Sequence, residues 1–211
     1  YSNTLNSPFV LDDNRAIPQN EYVKNIDKLL TYDYFFSKQD WEYRPLSYLT
    51  FAINYMISGE NVASYHATNI LIHIITSFVI FLLFRLILGL PHVKILPNAN
   101  QQFAFAFLGA VFFAVHPIQT NVATYIVQRM ASLSTMFYLL TIYFYSKGRL
   151  RLIESGFSSK VLLLLALALL TTLFAIWSKL IAVTLPLNIA LFEAFFIRDK
   201  QGKTNKKLIY I

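Results

Sequence analysis

Long apolar runs constrain this chain more than any motif does. From residue 62 onward they recur with enough length to cross a hydrocarbon core of roughly 30 Å as helices. Within that core each backbone N–H and C=O must be paired inside its own segment, which leaves the helix as the fold for such runs. With 56% of its 211 residues hydrophobic and a mean hydropathy of +0.49, the chain is too apolar for a soluble domain of its size. The expected fold is all-α, a polytopic membrane helix bundle. Spans are read at about 62–89, 103–118, 123–146, 161–178 and 180–197, after a polar loop over 1–61 and before a basic connection at 198–211 that opens a further run. A polar start without Met and an apolar finish predict an internal piece of a longer chain, with no signal peptide in it.

The net charge of +7 does not point to nucleic acid, because of where it sits. Segment 1–61 carries eight acidic and five basic residues. The basic excess falls in short connections, at Lys147, Arg149, Arg151 and Lys160, then at Arg198, Lys200, Lys203, Lys206 and Lys207. That is the positive-inside pattern, which sets orientation. It assigns 90–102, 147–160 and 198–207 to the cytoplasm, and 1–61, 116–124 and the 178–179 turn to the other side. Without cysteine there is no disulfide, thiolate ligand or cysteine nucleophile. No Gly-rich phosphate loop, nucleophile elbow or close His pair is present, which argues against ATP-driven, serine-hydrolase and zinc-protease chemistry on this stretch.

The loop opens with turn chemistry around Pro8 and Pro18. Two short amphipathic helices are expected in it, at about 21–30 and 45–57. Pro45 suits a first turn, and Leu46, Leu49, Ile53 and Met56 or Ile57 recur at three and four to make one apolar face. Tyr48, Phe51 and Tyr55 beside that face predict a helix lying along the membrane interface; a soluble amphipathic helix has the same periodicity.

Polar residues inside the spans fall in stripes. His66, Asn69, His73 and Thr76 share one helical face, directed at a bundle interior rather than at lipid. Seven residues rise roughly 10.5 Å, too far for His66 and His73 to share a metal. Thr124, Gln128, Ser132 and Thr135 make a second stripe with Arg129 beside it. A guanidinium at that depth either snorkels to headgroups or grips a phosphate bidentately. His116 and Lys179 stand at span ends on the same side as Asp12, Asp13 and Arg44, and that common location points to chemistry there. Glu193 is expected to pair with Arg198 at the opposite end.

These residues, in order, resemble a known family. Phe9-Val10-Leu11-Asp12-Asp13-Asn14-Arg15-Ala16-Ile17, with Asn20 and Val23, is similar to the first-loop motif of the transmembrane and tetratricopeptide-repeat-containing O-mannosyltransferases. Tyr43-Arg44-Pro45-Leu46, Asn54-Tyr55, Tyr65-His66, Asn69 and His73 resemble its next block. His116-Pro117-Ile118-Gln119-Thr120 and Tyr125-Ile126-Val127-Gln128-Arg129 resemble its HP block, in a form closer to bacterial relatives, and Ser178-Lys179 with Pro186 a later one. The resemblance implies a GT-C-like bundle, a polyprenyl-phosphate sugar donor with mannose as the eukaryotic precedent, a protein hydroxyl as acceptor, and tetratricopeptide repeats downstream. It implies a first-loop carboxylate acting on the acceptor, and transfer outside the cytoplasm at a bacterial cytoplasmic membrane, with an endoplasmic reticulum membrane as the other setting. Asn121 and Leu180 stand where relatives carry Glu or Gln and Glu respectively, which leaves a divalent metal open although no ligand spacing supports one.

The chemistry fits these residue types. Asp12 or Asp13 is read as the base that takes the acceptor proton, with Asp13 preferred for its nearness to the Arg15 turn; the pair also fits a helix cap or turn. Arg129, Arg44 and Lys179 are read as holding the donor phosphate, with His66, His116, Asn69 and Gln128 as supporting polar groups. A transporter or flippase of lipid-linked sugars would use the same polar stripes as a path. A membrane scaffold for downstream repeats would need none of them.

Overall fold

A computed structural model describes residues 2–31, 44–90, 93, 95–96 and 98–197. The basic segment 198–211, Tyr43 of the second motif block, and Pro91, Lys94 and Pro97 of the predicted connection lie outside them. Among the described residues the regular elements are all helical.

Four short helices build the loop: α1 (Asp12–Ala16), α2 (Glu21–Lys24), α3 (Ile26–Leu29) and α4 (Pro45–Ser58). The helix expected over 21–30 is two pieces, because Asn25 leaves α2 extended and then accepts from the Asp27 and Lys28 amides to cap α3. Asn20 caps α2 in the same way. In α4, Pro45 occupies the first turn and Gly59, at φ 59°, ends the helix in a conformation that favours glycine. Its packed face is not the one the periodicity picks out. Ser47, Phe51 and Asn54 are buried, while Ile53, Met56 and Ile57 are 39%, 66% and 72% exposed. Polar partners on the bundle claim the Ser47–Asn54 face; of the apolar stripe Leu49 packs against Leu29 and Ala52, and its later part is left outward.

The bundle follows as α5 (Val62–Leu88), α6 (Ala99–Val115), α7 (Thr120–Thr124), α8 (Arg129–Ser155), α9 (Ser159–Ser178) and α10 (Leu185–Phe196). Asn61, Asn98 and Ser158 cap α5, α6 and α9 through side-chain oxygens. α5 and α9 are each long and apolar enough to cross a membrane, and α6 joined to Pro117–Thr124 makes a third candidate bent by 50°. The other two predicted spans differ. The run read at 123–146 breaks at Tyr125, whose extended backbone separates α7 from α8, and α8 itself is rich in Ser, Thr and Tyr. The run at 180–197 splits into a 3-10 turn, Leu180–Thr184, and the twelve-residue α10. Together they still make one apolar helical stretch, Leu180–Phe196, shorter than α5 and α9.

α8 packs against both α5 and α9, and α6 lies on α5. Small residues set the α8–α9 approach: a Cβ on Gly148 would meet Leu165 at 3.2 Å. The Thr141 hydroxyl donates to Thr171 Oγ1 across the same buried seam at 2.9 Å. Toward the far end, buried Glu193 accepts from Arg149 Nε at 2.7 Å and from the Tyr145 hydroxyl at 3.1 Å, while its expected partner Arg198 lies outside the described residues.

Candidate functional site

A cavity of about 340 Å³ opens where the loop meets the bundle. Asp12 comes from α1, Arg44 from the head of α4, Tyr125 and Gln128 from the break before α8, and Lys179 from the turn after α9. Each is fixed by a local device. Two buried serines hold the 178–179 turn: Ser47 donates to the Ser178 carbonyl at 3.0 Å and Ser134 to the Lys179 carbonyl at 3.3 Å. The Arg44 guanidinium approaches Met130 Sδ at 3.0 Å, a weak acceptor. Among the described residues neither Arg44 nor Lys179 has a carboxylate partner. Burial, and then the neighbouring Arg44 charge, hold the Lys179 ammonium below its usual pKa.

The two aspartates divide. Asp12 is exposed to the cavity, and the Tyr125 hydroxyl donates to its Oδ2 at 2.9 Å while the Asp12 amide donates back to that hydroxyl at 3.3 Å. Asp13 is fully buried and does not line the cavity. Its Oδ1 accepts from the Val127 amide at 2.7 Å and its Oδ2 from the Val10 amide at 3.2 Å. Burial raises its pKa, against the lowering effect of those amides and of nearby His66. Asp13 therefore ties the 9–13 stretch to the 125–127 break. That tie supports the one non-glycine residue with positive φ among those described, Leu11 at 48°, a conformation that costs about 1–3 kcal/mol.

Three other candidates lie inside the protein rather than on the cavity. Arg129 has no exposed surface. Its Nε donates to Asn69 Oδ1 at 2.7 Å, Nη1 to Asn54 Oδ1 at 2.6 Å and to the Thr50 carbonyl at 3.2 Å, and Nη2 to the Tyr65 carbonyl at 2.9 Å. Phe51 and Tyr65 place their rings 4.6 and 5.6 Å from the guanidinium carbon. Asn69 spends its amide donors on the Val122 and Ile126 carbonyls. His66 is buried with Nδ1 2.7 Å from the Ala123 carbonyl and Nε2 3.0 Å from that of Ser7. His116 caps the turn after α6, accepting from the Ile118 amide at 3.2 Å.

Asp12, Arg44, Lys179 and Gln128 thus share one cavity, while Asp13, Arg129, Asn69, His66 and His116 do not line it. Asn121 and Leu180 do not line it either. Tyr125 is the site residue that sequence reasoning passed over; its place in the Tyr125–Arg129 block is the signal that marks it. No group of three or more His, Asp or Glu able to hold a metal occurs among the described residues. The arrangement sets one carboxylate among three cations, Arg15, Arg44 and Lys179, which suits an anionic group beside a proton to be removed.

No family model and no solved structure matches the chain. Curated proteins named protein O-mannosyl-transferase do, among them the following three. One from Caenorhabditis elegans is 30% identical over 71% of this chain and 21% of its own length. Tmtc1 of Drosophila melanogaster is 32% identical over 81% of this chain and 19% of its own. TMTC3 of Mus musculus is 32% identical over 71% and 16%. The chain spans about a fifth of the length of these curated relatives. All three come from animals, so the leaning toward a bacterial membrane drawn from the HP block gains no support. With its all-helical fold and the matches across most of its length, the chain belongs to the transmembrane and tetratricopeptide-repeat-containing O-mannosyltransferase family.

Proposed function

We propose that the cavity is the transfer site of a membrane glycosyltransferase. The enzyme would move a sugar, mannose by its relatives' names, from a polyprenyl-phosphate donor to a protein Ser or Thr hydroxyl on the extracytoplasmic side, at the endoplasmic reticulum membrane. The observation that carries this reading is the meeting of Asp12 with Arg44 and Lys179, two cations without a carboxylate partner among the described residues.

Arg44 and Lys179 hold the donor phosphate. The acceptor oxygen bonds to the anomeric carbon as the bond from that carbon to the phosphate oxygen breaks. The hydroxyl proton passes to Asp12, and the charge left on the lipid phosphate is met by the two cations. Tyr125 occupies Asp12 Oδ2, which leaves Oδ1 to take the proton. Asp12 replaces Asp13 as the proposed base, because Asp13 has both oxygens engaged by backbone amides away from the cavity. Arg129 is reassigned from phosphate ligand to internal tie.

The transferase is favoured over the transporter by the polar stripe itself. His66, Asn69, His73 and Arg129 are buried and bonded within the protein, and so do not line a path. The test supplies purified full-length protein with labelled polyprenyl-phosphate mannose and Ser/Thr peptides. Loss of transfer in Asp12→Asn and Lys179→Ala, with folding retained, is the expected result. Unimpaired transfer in Asp12→Asn, or passage of lipid-linked sugar across vesicles without transfer, would overturn it.

A further inference from the structure

We infer that a second groove, on the water side of the loop helices, holds the polypeptide acceptor; this rests on the transferase reading of the cavity. The groove is about 660 Å³, and Gln19, Glu21, Tyr22, Lys28 and Thr31 line it. It shares two residues with the cavity, Arg15 and Asn20, so the two spaces meet at a common wall. The groove presents the outer side of α2 and α3. Their inner side is buried through Val23 and Leu29, which pack against Phe51 and Ala52 of α4.

A transfer site of this kind admits two substrates of opposite solubility. The lipid-borne phosphate meets Arg44 at the head of α4 and Lys179 at the end of α9. The acceptor hydroxyl must reach Asp12 from another direction, and the Arg15–Asn20 wall is where the second groove meets the cavity. A volume of roughly 300–1,000 Å³ is usual for a preformed ligand site.

Its chemistry suits main chain rather than lipid. The exposed Gln19 carboxamide donates and accepts, as an extended strand's amides and carbonyls require. The Thr31 hydroxyl donates to the Lys28 carbonyl at 2.8 Å, which keeps its lone pairs available to an incoming N–H. Glu21 and Lys28 pair at 3.1 Å and offset one another, which leaves Arg15 at the shared wall as the groove's net charge. The acceptor is thus a polypeptide strand laid over α2 and α3, with its Ser or Thr hydroxyl directed past Arg15 toward Asp12.

Bulky plugs at exposed positions test this in the full-length protein. Gln19→Trp and Thr31→Trp are expected to raise the KM for an acceptor peptide about tenfold or more, the loss equivalent to roughly 1.4 kcal/mol of binding. The KM for polyprenyl-phosphate mannose, and its slow hydrolysis to water, should not change. An unchanged peptide KM in both variants overturns the groove while leaving the transferase standing. If the unmodified protein neither hydrolyses nor transfers the donor, the transferase reading fails, and the inference with it. A photoreactive acceptor peptide provides a readout independent of turnover. Crosslinks within 15–31 are expected, and crosslinks confined to other segments overturn the assignment.

Discussion

Replacing Arg129 by Lys separates a structural role from a phosphate-binding one. From the head of α8 the guanidinium joins four groups on two other helices: Thr50 and Asn54 on α4, and Tyr65 and Asn69 on α5. A lysine has one nitrogen and cannot reach both Asn oxygens. At least one buried amide oxygen then lacks a donor, at about 1–3 kcal/mol. The planar stack on Phe51 and Tyr65 is lost as well, worth about 0.5–2 kcal/mol where desolvated. The ammonium would also be buried without a counter-charge, so the total comes to about 3–5 kcal/mol, the usual scale for a broken buried polar network. For a protein of this length that lowers the melting midpoint by roughly 6–20 °C. Thermal unfolding in detergent measures the shift, and donor KM on the folded fraction measures the phosphate role. The expectation is a large loss of stability with donor KM unchanged. A variant as stable as the parent but with weakened donor binding would refute the hub and restore Arg129 to the site.

Three further outcomes are expected. Tyr125→Phe removes the hydroxyl that orients Asp12 Oδ2, and kcat should fall by a factor of about 5–30, for roughly 1–2 kcal/mol, with donor KM little changed; a kcat equal to the parent's would remove Tyr125 from the site. Because Lys179 loses its proton below its ordinary pKa of 10.5, donor binding should weaken as pH rises through that lowered value, and Lys179→Arg should abolish the dependence. Asp13 binds its proton more tightly folded than unfolded, so its contribution to stability declines as pH rises from 3.8 through the raised folded value and is constant above it. Denaturation of Asp13→Asn against pH should lack that segment, and an identical profile would show that another group produces it.

Much of the architecture is legible in the residues because it rests on local chemistry. Pro45 starts α4, Asn61 starts α5 and Ser158 starts α9, each by satisfying or removing a free amide at a helix end. The break at Tyr125 is not legible, since Thr124-Tyr125-Ile126 contains no Gly or Pro to announce it. The division between Asp12 and Asp13 depends on that break. Neighbours in one helical turn point about 100° apart, and only the position of Tyr125 and Val127 decides which of them faces inward. Arg129 was hidden for a similar reason. The sequence identifies a guanidinium at an interface, but its acceptors lie 60 to 79 residues away. The apolar stripe of α4 is plain in the sequence, yet burial follows the partners of Ser47 and Asn54 instead.

The cavity has no continuous wall of its own. Its floor and sides come from α1, the head of α4, the Tyr125 break and the 178–179 turn, segments far apart along the chain. While the site is empty, Arg44 and Lys179 repel one another across it and work against the docking of the loop. An anion between them reverses that sign and becomes a clasp joining loop to bundle. Occupancy and closure are then a single equilibrium. An anion at a hundred times its dissociation constant would stabilise the docked loop by about 2.7 kcal/mol, and its departure would loosen the same seam.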